Sequence, residues 1–162
     1  MISLLHRITR EGDKWRVDHR LFNSREEALE YLKKQQRPSQ FKFYSEKLKR
    51  GFRSNWEVEL AELLAELGIE FLYEPKRFHF RAERESYLPD FYLPEFNCWI
   101  EVKGYMDKRS LRRVKLFRKY YGKDYAFILY EKEERELVLR DPSILFVLLE
   151  VAQRELERRR RK

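Results

Sequence analysis

Polar and apolar positions change period several times along the chain, and each change marks a predicted element. Residues 2 to 21 alternate loosely and break at "EGD" (Glu11 to Asp13), which predicts a β-hairpin. "NSREEALEYLKKQ" then reads as a short helix, with Ser24 as its cap and Glu27 three residues on, a capping-box pattern. Pro38 interrupts "QRPSQ", a linker pattern. Residues 1–37 are therefore expected to form a small hairpin-plus-helix module, and residues 38–162 the main domain.

From Ser54 the pattern becomes α-β-β-β-α-β. "SNWEVELAELLAELG" is a helix capped by Ser54 and stopped by Gly68. "IEFLYE", "RFHFR", "YLPDFYL" and "CWIEVK" read as strands. "DKRSLRRVKLFRKYYG" is a helix with Asp107 at its N-cap and Gly122 at its end, and "YAFILYE" is a buried strand. The last helix, from "DPSILFVLLEVAQ" onward, has Asp141 as cap and Pro142 at its first position. The expected class is α/β, a central mixed β-sheet flanked by helices, with the small N-terminal module attached.

Three charges disturb this pattern. Asp90, Glu101 and Lys103 lie within "YLPDFYLPEFNCWIEVKGYM", in stretches that otherwise read as buried strands. A charge in a buried sheet is costly unless something pairs with it. Alternation puts Trp99, Glu101 and Lys103 on one face of their strand and Cys98, Ile100 and Val102 on the other. Glu101 and Lys103 then project together, about 6.5–7 Å apart along the strand. A turn at "PEFN" would bring Asp90 beside Glu101. Two carboxylates that close call for a cation, and Mg²⁺ accepts one or two carboxylates with water and substrate phosphate. On the first main-domain helix, Trp56, Leu60, Leu63, Leu64 and Leu67 share one arc, and Glu59, Glu62 and Glu66 the opposite one. Glu57 falls on the flank of the apolar arc, turned towards the sheet.

Composition narrows the partner. The chain of 162 residues carries a net charge of +8 with 40% charged residues, a balance that favours a polyanion, of which nucleic acid is the commonest. The charged fraction, with few Asn and Gln, also resembles thermophile proteins. Cys98 is the lone cysteine, which fits a reducing compartment. No apolar run reaches membrane-span length and the N-terminus has no signal-peptide core, so a cytoplasmic location is expected, the host cytoplasm for a phage-encoded chain.

"PD" followed after ten residues by "EVK", behind a helix that carries an acid, resembles the PD-(D/E)XK nuclease superfamily. The run from Ser54 to Met106 is similar to phage endonuclease I-type and archaeal Holliday-junction resolvases, and to transposon-end nucleases. The resemblance implies a restriction-endonuclease-like core and a Mg²⁺-dependent endonuclease acting on branched DNA, with Mn²⁺ able to substitute. It also implies catalytic roles for Glu57, Asp90, Glu101 and Lys103, and metal ligation by Asp90, Glu101, Val102 and Glu57. Symmetric cutting of a junction implies a homodimer, and "ILFVLLEVA" in the last helix is a candidate surface for it, with packing on the sheet as the alternative. A restriction, repair or transposon-type nuclease, or a non-catalytic DNA-binding module, remains open.

Each residue also has an ordinary reading. Asp90 suits a turn after proline, Glu101 and Lys103 a solvent-facing strand pair, and Glu57 a capping-box partner of Ser54. His6, His19 and His79 lack metal-ligand spacing, and Cys98 reads as a core residue. Two basic stretches are candidate DNA contacts. "FKFYSEKLKRGFRS" offers Lys47, Lys49, Arg50 and Arg53, and the helix after the site offers Lys108, Arg109, Arg112 and Arg113. On that helix Leu111, Val114, Phe117 and Tyr121 form the expected apolar stripe, which turns Arg109, Arg112, Arg113 and Lys119 outward.

Overall fold

A computed structural model describes residues 8–35 and 41–162. The chain divides into two compact units, residues 1–42 and 43–162. The linker read over residues 36–40, and with it the boundary after residue 37, lies outside the described residues, as does His6.

The first unit has three antiparallel strands rather than a hairpin: β1 (Ile8–Glu11), β2 (Lys14–Val17) and β3 (Arg20–Phe22), in that order. A second tight turn, with Asp18 at a φ of 53°, adds the third strand. Helix α1 (Arg25–Gln35) follows, and Ser24 Oγ accepts from the Glu27 N–H at 3.1 Å. Val17, Ala28 and Leu32 form a small core there, flanked by Ile8, Trp15, Phe22 and Tyr31.

The second unit is mixed α/β. Its central sheet has the order β11-β10-β9-β6, built from β6 (Leu72–Tyr73), β9 (Phe91–Leu93), β10 (Cys98–Val102) and β11 (Ala126–Tyr130). β10 and β11 are parallel, while β9 pairs antiparallel with both β10 and β6. Two ribbons accompany it: β4 (Phe43–Ser45) with β5 (Arg50–Phe52), and β7 (Phe78–Phe80) with β8 (Glu85–Tyr87). The helices are α2 (Asn55–Glu66), α3 (Lys108–Tyr121), α4 (Lys132–Arg140) and α5 (Ile144–Arg160).

The alternation read for β10 holds. Cys98, Ile100 and Val102 enter one core with Leu60 and Leu64 of α2, Val138 of α4, and Leu145 and Leu149 of α5. Trp99 enters the other with Phe78, Phe80 and Tyr87 of the β7–β8 ribbon and Val114 and Phe117 of α3. The sheet is thus a middle layer, and β10 is buried along its whole length.

Several expectations need correction. "YLPDFYL" is two short strands, because Leu88 and Pro89 leave the ladder and Asp90 sits in a bend. "EKEERELVLR" is helix α4, whose one buried residue is Val138, too little to show as an apolar period. Helix α5 starts at Ile144, so Pro142 precedes it, and Asp141 instead accepts from the Ser143 N–H and hydroxyl. α5 packs Leu145, Leu149, Ala152 and Leu156 on the sheet, while Phe146, Val147 and Val151 stay exposed. No described helix is long and apolar enough to cross a membrane.

Candidate functional site

Among the described residues the only buried charged ones are Glu57, Asp90 and Glu101, each 6–7% exposed. They come from three elements. Asp90 is delivered by pairing register: Cys98 faces Leu93 and Ile100 faces Phe91, and one step further sets Asp90 opposite Glu101. The turn that fixes this register is a 3-10 turn over Pro94–Phe96 closed by Asn97 in the left-handed region. Tyr92 O–H donates to Asn97 Oδ1 and Asn97 Nδ2 donates to the Asp124 carbonyl, which locks the turn.

Each carboxylate is held by a neighbour. The Val102 N–H donates to Asp90 Oδ2 at 2.8 Å. Tyr87 O–H donates to Glu101 Oε2 at 2.7 Å. Tyr73 O–H donates to Glu57 Oε2 at 2.5 Å, and the Arg53 N–H reaches the same oxygen at 3.0 Å. Ser54 Oγ does accept the Glu57 N–H, at 3.2 Å, but the Glu57 carboxylate returns to Arg53 and not to Ser54. Half of the capping reading therefore holds, and it coexists with a place in the cluster.

The three acids feel each other. Burial, then the charges of Glu101 and Glu57, pushes the Asp90 carboxyl far above its ordinary range. Burial raises Glu101 to about 7 against the opposing pull of Tyr87 and Lys103, with Glu57 adding to the rise. Burial also raises Glu57, and Glu74 adds to the effect. Among the described residues no salt bridge reaches Asp90 or Glu101. Lys103 follows β10 directly, its N–H donating to the Tyr130 carbonyl at 3.0 Å. Its half-buried ammonium acts on Glu101 through space.

A cleft of about 390 Å³ opens beside Glu57, and Asp90 and Glu101 are not among the residues that line it. Glu57, Val102 and Lys103 line it with Ser54, Trp56 and the Gly104–Tyr105 turn. No three His, Cys, Asp or Glu side chains among the described residues enclose an ion by themselves. The donor set fits a hard cation in another way. Two adjacent buried carboxylates in no salt bridge among the described residues, beside the Val102 peptide, would supply the protein share of a site that water and substrate phosphate complete.

Sequence reasoning missed Tyr73, Tyr87 and Glu74. Glu74 adopts a φ of 48°, donates its N–H to the Asp90 carbonyl at 2.8 Å and holds Arg53 through two hydrogen bonds of 2.5 and 3.2 Å. A non-glycine residue in that region is strained and marks a place where surrounding contacts over-determine the backbone. The adjacent "YE" was visible, but nothing in its period announces these partners.

The basic residues divide differently from expectation. Arg53 belongs to the acid cluster. Lys47 faces Glu66 and Glu62, at 3.3 and 4.0 Å, and Lys49 faces Glu46 at 3.7 Å. Arg50 lies over the Phe52 and Tyr73 rings, each 5.3 Å from the centroid. On α3, Arg109 and Arg113 both pair with Glu85, Arg112 donates to the Glu83 carbonyl, and Lys119 faces Glu83. Arg113 is only 28% exposed by its side chain, and Leu111, expected in the stripe, is exposed while Leu116 is buried. Lys108 is exposed at the start of α3. The α2 acids are also occupied: Arg135 grips Glu59 with two hydrogen bonds, and Ser45 O–H donates to Glu62. Cys98 is a core residue whose thiol burial pushes up to about 12. His79 is an exposed residue of β7.

Comparison with protein-family models, with characterised proteins and with solved structures finds no match.

Proposed function

We propose that the chain is a Mg²⁺-dependent DNA endonuclease of the PD-(D/E)XK kind that acts on branched DNA, most specifically a Holliday-junction resolvase. The observation that carries this reading is the coincidence at one place: the only buried charges among the described residues are the three acids that the motif singles out, and Lys103 stands beside them. Three acids buried together, none in a salt bridge among the described residues, are costly to ionise in a structural core, and a bound cation would offset that cost.

In this reading Asp90, Glu101 and the Val102 carbonyl hold Mg²⁺, with Glu57 across the cleft. When bound, Mg²⁺ supplies Lewis acidity and charge neutralisation at the phosphate. Tyr87 and Tyr73 fix the carboxylates of Glu101 and Glu57 so that neither reorients as substrate enters. Lys103 offsets the charge that builds on the attacked phosphate. Symmetric cutting needs two sites, so a C2 dimer is part of the proposal, with the exposed Val147 and Val151 of α5 on the contacting face.

A restriction, repair or transposon-end nuclease would use the same chemistry. Cleavage of a synthetic four-way junction beside linear duplex of the same sequence separates these readings. Preferential cutting of the junction supports the resolvase, equal cutting a general nuclease, and no cutting with tight binding a DNA-binding module.

A further inference from the structure

The turn between β10 and α3 carries Tyr105, 80% exposed and the most exposed of the large hydrophobic side chains among the described residues. Most other tyrosines of this unit are engaged. Tyr73 and Tyr87 hold carboxylates, Tyr92 holds Asn97, and Tyr120, Tyr121 and Tyr125 pack in ring pairs. No hydrogen bond or ring contact engages Tyr105 among the described residues. The backbone before it lies against a ring. A methyl group on Gly104 would lie 3.7 Å from the Trp56 indole, so the turn rests against that ring. Trp56 is in turn covered by the Arg135 guanidinium, 4.7 Å from its centroid. Tyr105 therefore stands on the lip of the cleft that Glu57 and Lys103 line, with its ring open to solvent.

A bare aromatic ring beside a phosphate site matches one feature of a nucleic acid, the flat face of a base. In continuous duplex both faces of every base are covered by neighbours. Only an unpaired or unstacked base can lie on Tyr105 while its phosphate sits over the acids. We propose that Tyr105 is a stacking platform for an unstacked nucleobase next to the scissile phosphate, so that this side chain selects interrupted over continuous duplex. This rests on the nuclease reading and adds to it the residue that reads the substrate's shape.

The probe is a duplex carrying one bulged 2-aminopurine, compared with the same duplex fully paired, bound in chelator by the full chain. The wild type should prefer the bulged duplex about tenfold, and binding should quench the 2-aminopurine fluorescence. Tyr105→Ala should lose the preference and the quenching, whereas Tyr105→Phe, which keeps the ring, should retain both. Because Tyr105 is exposed, the Ala variant should melt like the wild type, and the melting curve checks this. Equal preference in wild type and Tyr105→Ala, or its loss in Tyr105→Phe, overturns the stacking role and leaves the nuclease reading standing. A wild type that binds neither duplex overturns both.

Discussion

Glu27 and Glu57 stand at the same position of the same local pattern, three residues after a capping serine. Each sends its carboxylate back to the N–H before that serine, of Asn23 and Arg53 respectively. Only Glu57 is buried, and only Glu57 receives a tyrosine hydroxyl. The local motif is legible in sequence, whereas the difference comes from Tyr73, sixteen residues away, which no local period reveals. Glu57→Gln keeps an acceptor for Arg53 and Tyr73, so the melting temperature should hold within a few degrees while Mg²⁺-dependent cleavage falls at least tenfold. A variant that cleaves normally and only melts lower when changed to Ala would leave Glu57 a cap alone.

The raised carboxyls fix the pH dependence of stability. Folded Glu101 keeps its proton to about pH 7, whereas the unfolded chain loses it near 4.5. The folded state then binds more protons in that window, so its contribution is full below 4.5 and is lost as pH rises towards 7. Glu85 acts in the opposite sense and in a separate window. The Ser86 N–H and the arginines hold it down to about 2, so its contribution is present above 4.5 and lost towards pH 2. In chelator, the melting temperature should fall between about pH 5 and pH 7.5, and Glu101→Gln should flatten that slope. Added Mg²⁺ should restore stability at the upper end, because it binds the ionised folded form. A profile that is flat in the wild type, or unmoved by Mg²⁺, would remove the electrostatic basis of the site.

At the scale of elements, α3 and the β7–β8 ribbon act together. The period of α3 gives Val114 and Phe117 as its buried face, and they are buried. Its arginines read as free because sequence shows their own helix and not the ribbon that supplies Glu83 and Glu85, more than twenty residues earlier. Phe117 packs against Phe78, Tyr87 and Phe127, so it joins helix, ribbon and sheet beneath the tyrosine that holds Glu101. Phe117→Ala should cost about 3–5 kcal/mol by thermal or denaturant melting, as for other buried rings. A cost under 1 kcal/mol would mean that the ribbon packs independently of α3. Arg113→Ala should lower the melting temperature, since it leaves Glu85 short of a partner. The salt dependence of DNA binding should change little, because that charge is already spent within the chain. The short strands β4 and β5 and the charged helix α4 escaped sequence reading for a shared reason. Three residues, or a single buried Val138, give too few positions for a period to show.

At the scale of the whole molecule, the class and the site were legible to different depths. Alternation along "CWIEVK" gave both faces of the central strand, and the turn at "PEFN" gave the meeting of Asp90 and Glu101. Residues 43–162 contain two cores, one on each face of their sheet, and form a compact unit. A fragment of those residues should therefore unfold cooperatively by itself. A broad transition without a folded baseline would show that the first unit is needed for stability.

The net charge of +8 favours a polyanion but does not choose one. Incubating the full chain with a synthetic four-way DNA junction and Mg²⁺, beside Asp90→Asn and Glu101→Gln variants, tests the proposed chemistry most directly. The wild type should cut the junction in Mg²⁺ and not in chelator, and each variant should bind it but cut at least a hundredfold more slowly. A wild type that binds without cutting, or a variant that cuts like the wild type, would contradict it.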